Sequence, residues 1–302
     1  MTETMNPSPE LRARVALEKY GFRNTHSLGQ NFLLDAGLLE HLLELSGVRD
    51  TDNVLEIGPG AGVMTALMSL RCRRVLAVEV DRGLEPVLTD VLAGRENARV
   101  VFCDIMKADV AALTAEAFGD EPWRVVANLP YYITADILLR LATARRQPDS
   151  VAVMVQKEAA ERVMSHPGQK QWCALAATVQ SYGTPRVLAD VPPDAFDPPP
   201  HVQSQFILIE KHPEPVVTPR DPQIYLRLIN AAFAMRRKTL ANNLKAAFGL
   251  DQDAARAVLG AAGVDERVRG EALTLQELCR VADEVEACRR EQGIGDRNSG
   301  SL

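Results

Sequence analysis

Asn53-Val54-Leu55-Glu56-Ile57 runs without a break into Gly58-Pro59-Gly60-Ala61-Gly62, and an apolar stretch through Met64, Leu67, Met68 and Leu70 follows. A short apolar run, a glycine-rich turn and a helix-period segment form the opening unit of a nucleotide-binding α/β fold. The unit constrains the rest of the chain, because a buried parallel strand needs neighbouring strands and helices covering both faces. The sequence supplies them. Further strands are predicted at residues 74–81, 99–104, 124–127 and 151–156, with two more near 186–191 and 205–209. The expected fold is α/β: a Rossmann-like sheet of seven strands, mostly parallel, followed by a small all-helical C-terminal domain.

The strand ends carry the chemistry. The glycines fall as G-x-G-x-G, with Val63 where a dinucleotide fingerprint has its last glycine. That form is the one methyltransferases use for S-adenosyl-L-methionine, a ligand with no pyrophosphate to cradle. The second predicted strand ends in Glu79 and Asp81, about 20 residues beyond the glycines, the distance expected of a carboxylate on ribose hydroxyls. Both acids compete for that role. The third ends at Asp104, a carboxylate able to accept from an adenine amine. The fourth runs into Asn128-Leu129-Pro130-Tyr131-Tyr132, where Pro130 stops the ladder. The break gathers an amide side chain, a prolyl carbonyl and an aromatic ring: acceptors for the N–H groups of a planar exocyclic amine, and a surface for its base. Such strand–Asn–Pro sequences also serve as plain turns. In open α/β sheets, ligands sit at this edge.

Around that frame the punctuation is clear. Asp35 can cap a helix bearing Leu38, Leu39, Leu42 and Leu43. The proline-dense stretch from Val191 to Val202 makes a stiff loop, which either holds Phe196 outward on a rigid arm or simply links two strands. Pro213, Pro215 and Pro219 mark a boundary, beyond which Asp221-Pro222 and the capping box Thr274-Leu275-Gln276-Glu277 open helices. The expected division is a partly flexible N-terminal extension (1–25), a methyltransferase domain (26–212), a helical domain (213–291) and a disordered tail (292–302).

Composition excludes several classes. The formal net charge of −6 does not suggest a nucleic-acid binder. The acid excess lies before Lys211, however, and Arg227, Arg236, Arg237, Lys238 and Lys245 form a basic run without an acid among them, either a solvated face or a binding surface. Five scattered cysteines with no C-x-x-C pair, and histidines without ligand spacing, argue against a disulfide framework or a metal site and for a reducing cytoplasm. No apolar run reaches bilayer length, and the polar first ten residues lack a signal core.

Taken in order, these residues resemble the KsgA/RsmA group of ribosomal RNA adenine dimethyltransferases. The likeness runs through Leu28-Gly29-Gln30-Asn31-Phe32-Leu33, Glu56-Ile57-Gly58-Pro59-Gly60, Asn128-Leu129-Pro130-Tyr131 and Val155-Gln156-Lys157-Glu158-Ala159-Ala160-Glu161-Arg162. It continues in Pro192-Pro193-Asp194-Ala195-Phe196, Phe233-Ala234-Met235-Arg236-Arg237-Lys238-Thr239-Leu240 and Arg269-Gly270-Glu271-Ala272-Leu273, covering nearly all the chain but its ends.

The resemblance implies that Asn31, Leu33, Gly58 and Gly60 contact S-adenosyl-L-methionine, with Glu79 on its ribose and Asp104 on its adenine. Asn128 would border the cofactor and, with the Pro130 carbonyl, accept from the target amine, while Tyr131 and Phe196 stack on the target adenine. Arg236, Arg237 and Lys238 would meet RNA phosphates. The implied activity is dimethylation of N6 on adjacent adenosines near the 3′ end of 16S rRNA, in the small (30S) subunit or its precursor, by a cytoplasmic monomer without a metal, linked to ribosome maturation.

The rivals are the related large-subunit dimethyltransferase that confers macrolide resistance and an assembly protein that kept the fold alone. A nicotinamide-dependent dehydrogenase is disfavoured by Val63. The chain departs from the family pattern at residues 24–27, which lack the usual Lys or Arg before Leu28. It departs again at Gln203, where aspartate is usual, and at Trp172-Cys173, where Tyr-Gly is usual. These departures bear on RNA docking.

Overall fold

A computed structural model describes residues 7–22 and 30–291. The departure at residues 24–27, the Leu28-Gly29 turn, the expected tail from 292 and parts of the expected N-terminal extension lie outside the described residues.

In chain order the first elements are α1 (Pro9–Lys19), β1 (Phe32–Leu33), α2 (Ala36–Ser46), β2 (Asn53–Ile57), α3 (Val63–Arg71), β3 (Arg74–Glu79) and α4 (Glu85–Val91). Next come β4 (Ala98–Phe102), α5 (Val110–Phe118), β5 (Trp123–Asn128), α6 (Thr134–Ala142), β6 (Ser150–Gln156), α7 (Lys157–Val163) and α8 (Ala174–Tyr182). The chain closes with β7 (Gly183–Val191), β8 (Phe196–Asp197), β9 (Ser204–Lys211), α9 (Pro222–Ala234), α10 (Leu240–Phe248), α11 (Gln252–Ala261) and α12 (Leu275–Glu291).

Seven strands form one sheet in the order β4-β3-β2-β5-β6-β9-β7. The five from β4 to β6 are mutually parallel, whereas β9 pairs antiparallel with both β6 and β7. Parallel strands are covered on both faces and so read as continuous apolar runs; every residue of β2 is buried. The predicted strand at 186–191 starts earlier, at Gly183, because its ladder with β9 extends to Gly183↔Lys211. A separate two-stranded ribbon joins β1 to β8, with Leu33 opposite Phe196.

The capping residues act as their types dictate. Asp35, Asp221 and Asp251 accept from backbone N–H groups at the starts of α2, α9 and α11. Thr274 and Glu277 cap α12 reciprocally through Glu277 N–H to Thr274 Oγ1 (3.2 Å) and Thr274 N–H to Glu277 Oε2 (2.9 Å).

By packing, the chain divides into two compact units: residues up to 160 with 183–211, and 161–182 with the residues from 212 on. The sequence reading places 161–182 with the sheet; the packing places it with the C-terminal helices. The reason is Trp172, which is fully buried beside Leu228, Leu244 and Leu278 in the helical core and meets Phe233 edge-on (6.1 Å, 79°). The helix expected at 170–181 accordingly begins only at Ala174, after that anchor.

Candidate active site

The chain leaves β2 towards β3 and β4 on one side and later places β5 on the other, so β2 and β5 flank a topological switch point. Ligands of open α/β sheets bind at such a point, beyond the carboxyl ends of the strands. Asp104, Glu79, Gly58 and Asn128 stand at or just past the carboxyl ends of four adjacent strands and are thereby brought to one edge. A cleft of about 320 Å³ opens there, and it is lined by all four, by Asn31, Leu33 and Gly60, and by Pro130 and Tyr131.

The glycines earn their places by close approach. Gly60 has φ +54°, and a Cβ on it would lie 2.9 Å from the Phe32 ring. Its N–H donates to Glu79 Oε2 (3.3 Å), so the turn after β2 is tied to the end of β3. Glu79 is buried and also accepts from the N–H groups of Val80 (2.9 Å) and Asp81 (2.8 Å) through Oε1. Burial pushes its carboxyl above the usual range, while these backbone bonds pull the other way. Asp81 is engaged elsewhere, accepting from Gln30 Nε2 (2.8 Å) and Gly83 N–H (2.9 Å), and it does not line the cleft. Of the two competing acids, only Glu79 faces the ligand space.

Asp104 is held in the loop after β4, where its Oδ1 accepts from Met106 N–H (2.9 Å) and its Oδ2 lies 3.4 Å from Lys107 Nζ. Arg140 of α6 braces that loop by donating to the carbonyls of Met106 (2.9 Å) and Ala108. The sequence assigns Glu56 no role at the site, yet it lines the cleft at 1% exposure. Burial pushes its carboxyl up to about 8, against the Thr65 hydroxyl that donates to it at 2.5 Å and with the help of the nearby Glu79 charge. The signal is a lone acid among Val54, Leu55 and Ile57 of a buried strand.

Asn128 Nδ2 donates to the Asn31 carbonyl (3.1 Å), which fixes the amide and turns Oδ1 away from that contact. No donor meets Oδ1 among the described residues. Pro130 differs from expectation. Its carbonyl accepts from Ile133 N–H (3.2 Å) and Thr134 Oγ1 (3.1 Å), and is thus committed to the turn that starts α6. The carbonyl one residue back belongs to Leu129, which lines the cleft and lies outside that turn. Tyr131 lines the cleft with its hydroxyl 2.6 Å from Ser204 Oγ, and the adjoining Tyr132 is exposed at the cleft wall.

Phe196 is not brought to the cleft. It is 3% exposed, sits opposite Leu33 in the β1–β8 ribbon and belongs to the core beneath. The ring is buried and is not held outward on an arm, and it shares a ribbon face with Leu33. The three basic residues lie in the helical unit. Arg236 donates from Nε (3.0 Å) and Nη2 (2.8 Å) to Glu271 and from Nη2 to the Lys170 carbonyl, whereas Arg237 and Lys238 are exposed and meet no acidic side chain among the described residues.

The cleft fits an S-adenosyl-L-methionine molecule. Glycine backbone at Gly58 (φ +71°) permits close approach, Glu79 retains lone pairs for hydroxyls, and Asp104 with Ile105 and Met106 offers one acceptor beside apolar surface. No group of three or more His, Cys, Asp or Glu arranged to hold a metal occurs among the described residues.

Comparison with known proteins agrees with this geometry. A family model described as ribosomal RNA adenine dimethylase matches residues 21–286. Ribosomal RNA small subunit methyltransferase A of Alkaliphilus metalliredigens (strain QYMF) is 39% identical over 288 residues, covering 95% of this chain and 99% of the relative. A dimethyladenosine transferase from Plasmodium falciparum shares the fold at TM-score 0.66 and 21% identity, covering 83% of this chain and 96% of that one. The 23S rRNA methyltransferase ErmE does so at 0.62 and 23%, covering 85% and 100%.

Proposed function

This chain belongs to the ribosomal RNA adenine dimethylase family, and from that premise we propose that it transfers methyl groups from S-adenosyl-L-methionine to N6 of adjacent adenosines near the 3′ end of 16S rRNA. On this reading it acts as a cytoplasmic monomer on the 30S subunit or its precursor, in ribosome maturation. The observation that carries the chemistry is Asn128, whose Nδ2 is spent on the Asn31 carbonyl so that Oδ1 is left to accept.

The cofactor supplies an electrophilic methyl group on a sulfonium centre. An adenine N6 lone pair is delocalised into the ring and attacks poorly. Asn128 Oδ1 and the Leu129 carbonyl, accepting the two N–H groups, would draw the nitrogen towards tetrahedral geometry and aim its lone pair. Leu129 takes the place assigned to Pro130 because the Pro130 carbonyl already holds two donors. The same acceptors stabilise positive charge growing on the nitrogen, so positioning and electrostatics carry the acceleration. The alkylated, cationic amine is acidic enough to pass its proton to water, and no strong general base is required. Tyr131 supplies stacking area that offsets removing the base from its RNA stack. Glu79 and Asp104 hold the cofactor's ribose and adenine, and Arg237 and Lys238 meet RNA phosphates.

The test is methyl transfer from labelled S-adenosyl-L-methionine to unmethylated small subunits and, separately, to large-subunit RNA, followed by digestion to nucleosides. Dimethyladenosine in the small-subunit sample alone is expected. Label in the large-subunit RNA would move the chain to the 23S type, and cofactor binding without transfer to either would make it an assembly protein.

A further inference from the structure

Ser204 is completely buried at the start of β9, the antiparallel strand beyond the parallel set, and 73 residues from Tyr131 in sequence. Its position is fixed from two sides, by pairing with Gln156 of β6 and with Val191 of β7. Its hydroxyl shares a 2.6 Å hydrogen bond with the Tyr131 phenol, whose ring lines the cleft. Tyr131 itself stands in a short turn between a proline and α6, with no ladder of its own to hold its side chain. The phenol oxygen lies on the Cβ–Cγ axis, so a hydrogen bond at that far end restrains χ1 and the place of the ring.

We propose that Ser204 is a positioning residue for methyl transfer, holding the Tyr131 ring in the place where the target adenine stacks beside Asn128. The inference rests on the function proposed above. It gives β9 a task at the site: the strand that completes the sheet also fixes the one aromatic side chain of the Asn128-Leu129-Pro130-Tyr131 motif. It also separates the two ends of the tyrosine. The phenol is spent on the protein, and burial keeps it protonated well above neutral pH, so recognition of the base falls to the ring face. A single hydroxyl-to-hydroxyl bond of this kind is worth a factor of roughly 3–10.

The test is a double-mutant cycle with Ser204→Ala and Tyr131→Phe, which remove the same bond from opposite ends while keeping the ring. Each single variant should bind S-adenosyl-L-methionine as the wild type does, measured calorimetrically, and lose roughly 3- to 10-fold in kcat on unmethylated small subunits. The double variant should be no worse than either single one, and Ser204→Thr should restore part of the loss. Additive losses, or Ser204→Ala at wild-type rate, overturn the proposal. The anchor is also read without any reaction, from the ring-carbon resonance of labelled tyrosine assigned with Tyr131→Phe. Ser204→Ala must shift it, and an unmoved signal overturns the anchor. If the wild-type enzyme labels neither subunit, the function falls, while the resonance still decides the hydrogen bond.

Discussion

The sheet edge and the helical unit hold their proposed functional residues in different ways. At the sheet edge, the proposed site side chains are themselves hydrogen-bonded: Glu79 and Asp104 by the backbone N–H groups of Val80, Asp81 and Met106 nearby, Asn128 and Tyr131 across the fold by Asn31 and Ser204. In the helical unit, the proposed RNA-facing residues lie on an exposed turn between α9 and α10, and what holds the turn comes from far away. Arg236 reaches Glu271 and the Lys170 carbonyl, and the segment around Gly270 packs against the last carbonyls of α9. Chemistry that needs sub-ångström placement sits on side chains whose polar ends are already bonded to the protein. Charge recognition of a phosphate backbone tolerates a looser mounting.

The sharpest break of that comparison is Asn128→Ala. It removes the acceptor at the centre of the cleft and the bond to Asn31, and kcat should fall by roughly 100- to 1,000-fold, the size seen when a preorganised hydrogen-bonding group is lost from a transition state. Binding to small subunits, measured by filter retention, should persist because the helical unit is untouched. Lost subunit binding would show that the two regions are not separable in function.

Gly270 probes the other region. A Cβ there would stand 2.0 Å from the Ala232 carbonyl oxygen, a backbone atom that cannot step aside. Gly270→Ala should destabilise the helical unit by roughly 1–3 kcal/mol, as overpacking does, read as a lowered denaturation midpoint. Cofactor affinity should stay as it was.

These two positions also show what the sequence made legible. Asn128 could be singled out because a predicted strand, a proline and an aromatic ring adjoin it in the chain. The ends of β2 to β5 could be aligned because parallel strands in a doubly wound sheet all deliver their ends to one edge. Gly270 gave no comparable signal, since its reason is a carbonyl 38 residues upstream. Ser204 and the inward turn of Phe196 were hidden in the same way: both depend on strand pairing across long separations, β9 against β6 and β8 against β1. Trp172 falls in that class too. It fills the helical core among residues distant in sequence.

Within the cleft, Glu56 sharpens the contrast by pH. Its carboxyl is raised to about 8, chiefly by burial, from 4.5. In that window the folded state holds a proton the unfolded chain has released, so unfolding becomes easier as pH rises. The Glu56 contribution to the stability of the cofactor-free protein should be greatest below the ordinary carboxylate range and decline towards pH 8, levelling beyond it. Glu56→Gln keeps an acceptor for Thr65 and should flatten that slope in a melting-temperature series. An unchanged slope would mean that Glu56 is ionised in the folded protein.

The smallest effects belong to the basic turn, and there the three residues should separate. Arg237 and Lys238 are exposed, with no acid against them among the described residues, so each replacement by alanine should weaken RNA binding modestly. Each should also reduce the slope of log affinity against log salt by about 0.7–0.9, one phosphate contact apiece. Arg236 is different, because two of its guanidinium nitrogens already lie on Glu271. Its side chain is partly exposed and the pair is screened by water, so its contribution to stability is small. Its effect on binding should pass through the shape of the turn. Arg236→Ala and Glu271→Gln should then perturb RNA affinity to similar, non-additive extents while leaving the salt slope nearly unchanged. If Arg236→Ala instead lowers the slope as Lys238→Ala does, phosphate displaces Glu271 on binding, and all three residues act as one contact surface.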